Sequence, residues 1–202
     1  MRVDPKRLVQ RLDTVCLRAL ESAVALAVQR GHYEVTIEHV LRRLLEEGRS
    51  DVELIFRNYA VEPSRLAGAL DKALEGMPTG NTGRPAFSPL LFAWIEEAFL
   101  FSMVELGLAR VRSGALIVAL LARPGRSALD DHDELVKIPV EDLRRDLSAI
   151  TERSVETEGA PAGEGPGSPS ASSAAHEEAL GRFTTDLTAR AASGDIEPVL
   201  AR

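Results

Sequence analysis

The stretch Leu12–Leu45, LDTVCLRALESAVALAVQRGHYEVTIEHVLRRLL, has a second copy in Phe87–Leu121, FSPLLFAWIEEAFLFSMVELGLARVRSGALIVALL. With Asp13 laid on Ser88, Ala23 falls on Ala98. One extra residue in the second copy then brings Gly31 onto Gly107, Thr36 onto Arg112, and Leu44-Leu45 onto Leu120-Leu121. Each copy has the same parts. A small polar cap opens a long apolar helix, a glycine ends it, and a second helix closes on Leu-Leu. A repeated unit of this kind buries its apolar face against its neighbour. Two units predict an all-α, pseudo-twofold domain of about eight helices without a sheet, the two long helices central.

Local signals set the elements. Asp4-Pro5 is a cap followed by proline at the first helical position, and it opens a short helix over Lys6–Arg11. Asp13 or Thr14 caps the long helix that Gly31 stops. Thr36 caps a helix running to Glu47. Ser50-Asp51-Val52-Glu53 is a capping box, and Pro63 opens a helix that carries Leu66, Leu70 and Leu74. TGNTGRP, Thr79–Pro85, is a turn-rich connector. Ser88-Pro89 restarts the pattern, Ser113 caps the next helix, and Val140–Ile150 closes the second copy. Between them Ser127–Glu134 is acidic and weakly periodic, so the second copy is eroded there.

Composition changes after Thr151. Residues 158–173, EGAPAGEGPGSPSASS, lack the apolar surface needed to offset chain entropy and read as a flexible linker. The expected division is a duplicated domain over 1–151 (copies about 12–76 and 87–151), a linker over 152–176, and the incomplete start of another module over 177–202.

Charge and chemistry exclude several classes. The net charge of −7 argues against nucleic acid and an anionic membrane as partners, since both reward clustered cations. One cysteine, Cys16, allows no intrachain disulfide and suits a reducing, cytoplasmic setting. The lysines are Lys6, Lys72 and Lys137, and none follows a glycine, so there is no phosphate loop. His32, Glu38 and His39 do not have the HExxH spacing and read as capping and packing groups. Cys16, set between Val15 and Leu17, reads as a buried thiol. Glu96-Glu97, Arg42-Arg43 and Arg144-Arg145 read as solvated helix edges. No catalytic residue, metal site or cofactor is expected in this chain.

Apolar surface remains. Two helices apolar on nearly every side can leave a groove for an amphipathic helix of a partner. The candidate lining is Leu8, Leu12, Val15 and Ala19 on one side and Phe87, Leu90, Leu91 and Trp94 on the other. The alternative is that all eight are core.

The duplicated pattern resembles the Clp amino-terminal domain of Hsp100 AAA+ unfoldases. ALESAVALAVQRGHYEVTIEHVLRRLL carries the helix, the Gly-His turn and the Thr-x-Glu-His-x-Leu helix start of that family's first repeat. Cys16, His32–Val35, Thr79-Gly80-Asn81, Phe87-Ser88-Pro89 and Ile138–Leu147 resemble the ClpV (TssH) branch of type VI secretion. The resemblance covers Leu8 to about Thr151 and resumes over Phe183–Arg202, which is similar to the entry into the first ATPase module. Three features depart from the pattern: the second copy lacks the His turn, Ile138-Pro139-Val140 carries a proline, and the linker is longer and less charged than the family's usual one. The resemblance implies a recognition domain, not a motor. Its partner would be the N-terminal helix of a contracted sheath subunit, with the domain monomeric alone and hexameric in the full-length ATPase. The competing expectation is a docking domain for adaptors or unfolded proteins in a general Clp chaperone or protease.

Overall fold

The computed structural model describes residues 4–123 and 132–158. Of the expected linker over 152–176, residues 159–176 fall outside them, as does the expected start of another module over 177–202; of Glu158 only the backbone is described. Helices α1 (Pro5–Val9), α2 (Thr14–Arg30), α3 (Ile37–Leu44), α4 (Asp51–Asn58) and α5 (Pro63–Glu75) come first. Then follow α6 (Pro89–Val104), α7 (Ser113–Leu121), α8 (Asp133–Val136), α9 (Val140–Ile150) and α10 (Val155–Glu158). The two copies run in matched order: α2 answers α6, α3 answers α7, and α5 answers α9. Of the stretch expected to be eroded, Ser127–Glu134, residues 127–131 lie outside the described residues and the rest opens α8, which has 4 residues against 8 in α4. Ten described helices rather than eight result, because α8 and α10 are single turns too short to leave a periodic signal.

Caps follow the sequence closely. Asp4 accepts the Lys6 N–H, Asp13 the Cys16 N–H at 2.7 Å, and Ser88 the Leu90 N–H. Gly31 and Gly107, equivalent in the two copies, both take left-handed backbone, with φ of 66° and 64°.

The expectation of no sheet is corrected. β1 (Glu34–Val35) and β2 (Ala86–Phe87) form a two-stranded parallel ladder that pairs Glu34 with Ala86 and Val35 with Phe87. An isolated parallel bridge joins Leu12 to Val111. In the repeat alignment Leu12 corresponds to Phe87 and Val35 to Val111. The two bridges are therefore the same contact made twice: the lead-in to each long helix pairs with the lead-in to the second helix of the other copy. This reciprocal pairing is what a pseudo-twofold relation requires. Two-residue strands are too short for alternation to reveal them.

The core is aliphatic, with Trp94 and Phe56 fully buried in it. The Trp94 indole N–H donates to the Leu116 carbonyl at 2.8 Å, so its one polar atom is satisfied. α2 buries Val15, Cys16, Ala19, Leu20, Ala23, Val24, Leu26 and Ala27. α6 buries Leu91, Trp94, Ile95, Ala98, Phe101 and Ser102, whereas its opposite face stays exposed or half-buried. An all-round apolar helix was expected to be central; α6 is central on one side only.

The folded unit does not stop at Thr151. Ser154 and Glu156 are buried, and the Val155 N–H donates to the Arg49 carbonyl at 3.0 Å. The start of the expected linker is thus part of the domain.

Candidate apolar docking face

On a helix, side chains three and four apart share a face. In α6 this puts Phe92, Glu96, Phe99 and Met103 on one outward stripe, and Leu90, Ala93, Glu97, Leu100 and Val104 on the next. Leu90 is 49% exposed, Leu100 53%, Met103 47% and Val104 79%, while Phe92 and Phe99 are half-buried. Phe87, leading into α6, packs edge-on against Phe92 with ring centroids 5.5 Å apart. α1 packs against α6, and the Arg11 guanidinium lies 6.0 Å from the Phe99 ring centroid. Several exposed apolar side chains grouped on one helix face are a candidate interaction site on a globular domain.

Of the eight residues expected to line a groove, Leu8, Leu12, Val15, Ala19, Leu91 and Trp94 are buried in the core. They cannot touch a partner in this conformation, and for these six of the eight the expectation is corrected. Each points inward because it lies on the packed side of its helix or in the bridge lead-in. Phe87 and Leu90 do reach the surface, half-buried and exposed respectively. The sequence reading missed Phe92, Phe99, Leu100, Met103, Val104 and Arg11. The signal was present: α6 carries more apolar residues than one buried face can use.

A buried polar cluster lies elsewhere, where three helices begin. Glu156 Oε1 accepts the Asp51 N–H at 2.7 Å and the Ser113 hydroxyl at 2.5 Å. Glu156 Oε2 accepts the Ser113 N–H at 2.6 Å. Asp51 is held by Arg112, whose Nη2 and Nε approach its two oxygens at 2.6 and 2.9 Å. Glu156 thus caps α4 and α7, while Asp13 beside it caps α2. Ser113 was expected to cap α7; it is the first helical residue instead, and Glu156 supplies the acceptor. Burial, then the charges of Asp51 and Asp13, push the Glu156 carboxyl well above its ordinary 4.5. Burial likewise raises Asp13 and Cys16. Ligand atoms of Asp13, Cys16 and Glu156 lie within 4.8 Å of one another. Both Glu156 oxygens already serve helix N-termini, so the arrangement is a shared cap rather than a metal centre.

The histidines of the first copy form a second network. The Thr36 N–H donates to His39 Nδ1 at 3.1 Å. The neutral His39 ring therefore carries its proton on Nε2 and donates it to His32 Nδ1 at 2.9 Å. Burial, then the neighbouring His32, lowers His39 from 6.5 to about 4. His39 stands where a capping box usually has Glu or Gln, in agreement with the capping role expected of it. Glu96-Glu97 lies on the open face of α6, and Glu97 pairs with Arg123 at 3.1 Å.

Residues 11–132 match the family of the Clp repeat (R) N-terminal domain. The chaperone protein ClpB of Yersinia enterocolitica is 34% identical, over 100% of this chain and 24% of its own length. The AAA+ ATPase ClpV1 of Pseudomonas aeruginosa is 31% identical, over 95% of this chain and 22% of its own length. The chain therefore spans about a quarter of the length of these curated relatives. Among solved structures, the N-domain of ClpV from Vibrio cholerae is 33% identical, with a TM-score of 0.72. That match covers 77% of this chain and 94% of the other. A complex of the ClpV N-domain with VipB peptide is 33% identical at a TM-score of 0.68, covering 77% and 96%.

Proposed function

This chain belongs to the Clp repeat (R) N-terminal domain family, and from that premise we propose that it is the client-recognition domain of a ClpV-type AAA+ ATPase. It captures an amphipathic helix at the N-terminus of a contracted sheath subunit and delivers it to cytoplasmic ATPase rings that recycle the sheath. The observation that carries this reading is the likeness to a ClpV N-domain held in complex with VipB peptide. The open apolar face of α6 agrees with it: a helix-in-groove partner needs apolar anchors at helical spacing on the receptor. Phe87 and Leu90 stay in the proposed site. Phe92, Phe99, Leu100 and Met103 join them as contacts, and Leu91 and Trp94 support the floor from below. Adaptor or unfolded-protein docking is the second reading, favoured by the similarity to ClpB.

Three or four apolar side chains on one face would bind at roughly micromolar affinity once ordering costs are met. Linked copies in a hexamer would raise the effective affinity. Titrating a labelled N-terminal sheath peptide against this chain tests the reading. Leu90→Glu and Leu100→Glu should each weaken binding by about ten-fold or more while melting like the parent, since both side chains are exposed. Unchanged binding in both variants would remove α6 from the site. Tighter binding of unstructured polypeptide than of sheath peptide would favour the second reading.

A further inference from the structure

The proposed face of α6 has an uneven electrostatic border. On one side lie α1 and the turn that follows it, where Arg7 and Arg11 are exposed. No carboxylate among the described residues lies within ion-pair distance of either. Arg11 is fixed at the border by its position over the Phe99 ring, a cation–π contact that leaves the guanidinium edge free to pair. Other cations near this helix are already engaged: Arg123 with Glu97 at 3.1 Å, and Arg144 with Glu105. This positive edge stands out on a chain of net charge −7. Glu96 lies within the same stripe as Phe92 and Phe99, one turn from each, and is half-buried. Negative charge placed over the middle of the stripe would meet Glu96, while negative charge at the α1 border would meet the two arginines.

We infer that the client is a helix with an acidic flank, seated so that this flank faces Arg7 and Arg11 while its apolar face covers Phe92, Phe99 and Met103. The inference rests on the helix-docking reading above and adds the orientation of the client and the chemistry that selects it. A client residue opposite Glu96 is neutral or basic. Reversing the helix or rotating it by one position moves its acids away from α1, so the border sets polarity and register where apolar contact alone would not.

Three peptides that share one amphipathic apolar face and differ only in the flank, carrying Glu, Gln or Lys, test this with the intact chain. In low salt the Glu peptide should bind tightest and the Lys peptide weakest, about three- to ten-fold apart at each step for two exposed ion pairs. The spread should shrink in high salt. In Arg7→Glu/Arg11→Glu the order should reverse, with helical content unchanged. Equal binding of all three peptides overturns the acidic-flank inference and leaves the docking face standing. Failure of all three to bind the parent chain overturns the docking reading itself. Should the double variant lose its fold, the peptide order on the parent chain still decides.

Discussion

Glu156 Oε1 accepts the backbone N–H of Asp51 at 2.7 Å across 105 positions of sequence. Its other oxygen accepts the N–H of Ser113, so one carboxyl group from α10 closes the first turns of α4 in the first copy and α7 in the second. Buried helix starts need such acceptors, because their N–H groups have no partner within the helix.

Removing this side chain should therefore unfold the domain more readily. Glu156→Ala leaves two buried N–H groups unpaired and should cost about 2–4 kcal/mol, read as a lower urea midpoint. A chain ending at Thr151 should lose at least as much relative to one ending at Glu158.

The same group makes stability fall as pH rises. Its folded-state pKa lies above the unfolded value of 4.5. Between the two the folded state holds a proton that the unfolded state has released, so stability is fullest below 4.5 and falls as pH rises towards the folded value. Melting temperature should decline across that window, and the decline should be smaller in Glu156→Gln.

His39 sets the acid side with the opposite sign. Its pKa falls from 6.5 to about 4 in the fold, so the unfolded chain binds its proton first. The contribution is fully present above 6.5 and is lost as pH drops towards 4, amounting to about 3 kcal/mol at most. His39→Gln keeps an acceptor for the Thr36 N–H and should flatten the acid limb of a stability–pH curve.

Two helical glycines should respond oppositely to alanine. At Gly68 in α5 a Cβ meets nothing within 4 Å, and Gly68→Ala should stabilise by about 0.5–1 kcal/mol through helix propensity. At Gly114 in α7 a Cβ would lie 3.0 Å from Asp51 Oδ2 and 3.0 Å from Leu147 Cδ1. Asp51 is clamped by Arg112 and cannot give way, so Gly114→Ala should destabilise by about 1–3 kcal/mol. Paired denaturant melts of the two variants check this.

Much of the fold was legible because its signals are local. Asp4-Pro5, Asp13, Gly31, Ser50, Pro63 and Ser88-Pro89 each mark a boundary within a few residues of where the chain turns. The repeat alignment supplied the matched order of helices. What could not be read was long-range. The role of Glu156 depends on Asp51 and Ser113, and its composition resembles the linker that follows. The bridges of Leu12 and Phe87 are contacts between copies. The site was legible only in part, for a related reason. Hydrophobicity identified α6 as carrying surplus apolar surface, but only packing decides which side is surplus: Leu91 and Trp94 went inward, Leu90 and Leu100 outward.

The paired bridges, Leu12 with Val111 and Val35 with Phe87, carry a consequence for how such a chain could arise. Contacts made twice between equivalent positions are those of an isologous dimer, in which one surface patch meets its own copy. A lone repeat would offer the lead-in of its long helix to the second helix of another molecule and accept the same in return. The connector Thr79–Pro85 turns that encounter into one within a single chain, where the partner is always present at high effective concentration. Freed from the need to match its twin, the second copy could shorten α8 and leave apolar side chains of α6 exposed. The asymmetry that a symmetric pair of identical chains could not hold is the one on which the proposed recognition of a partner depends.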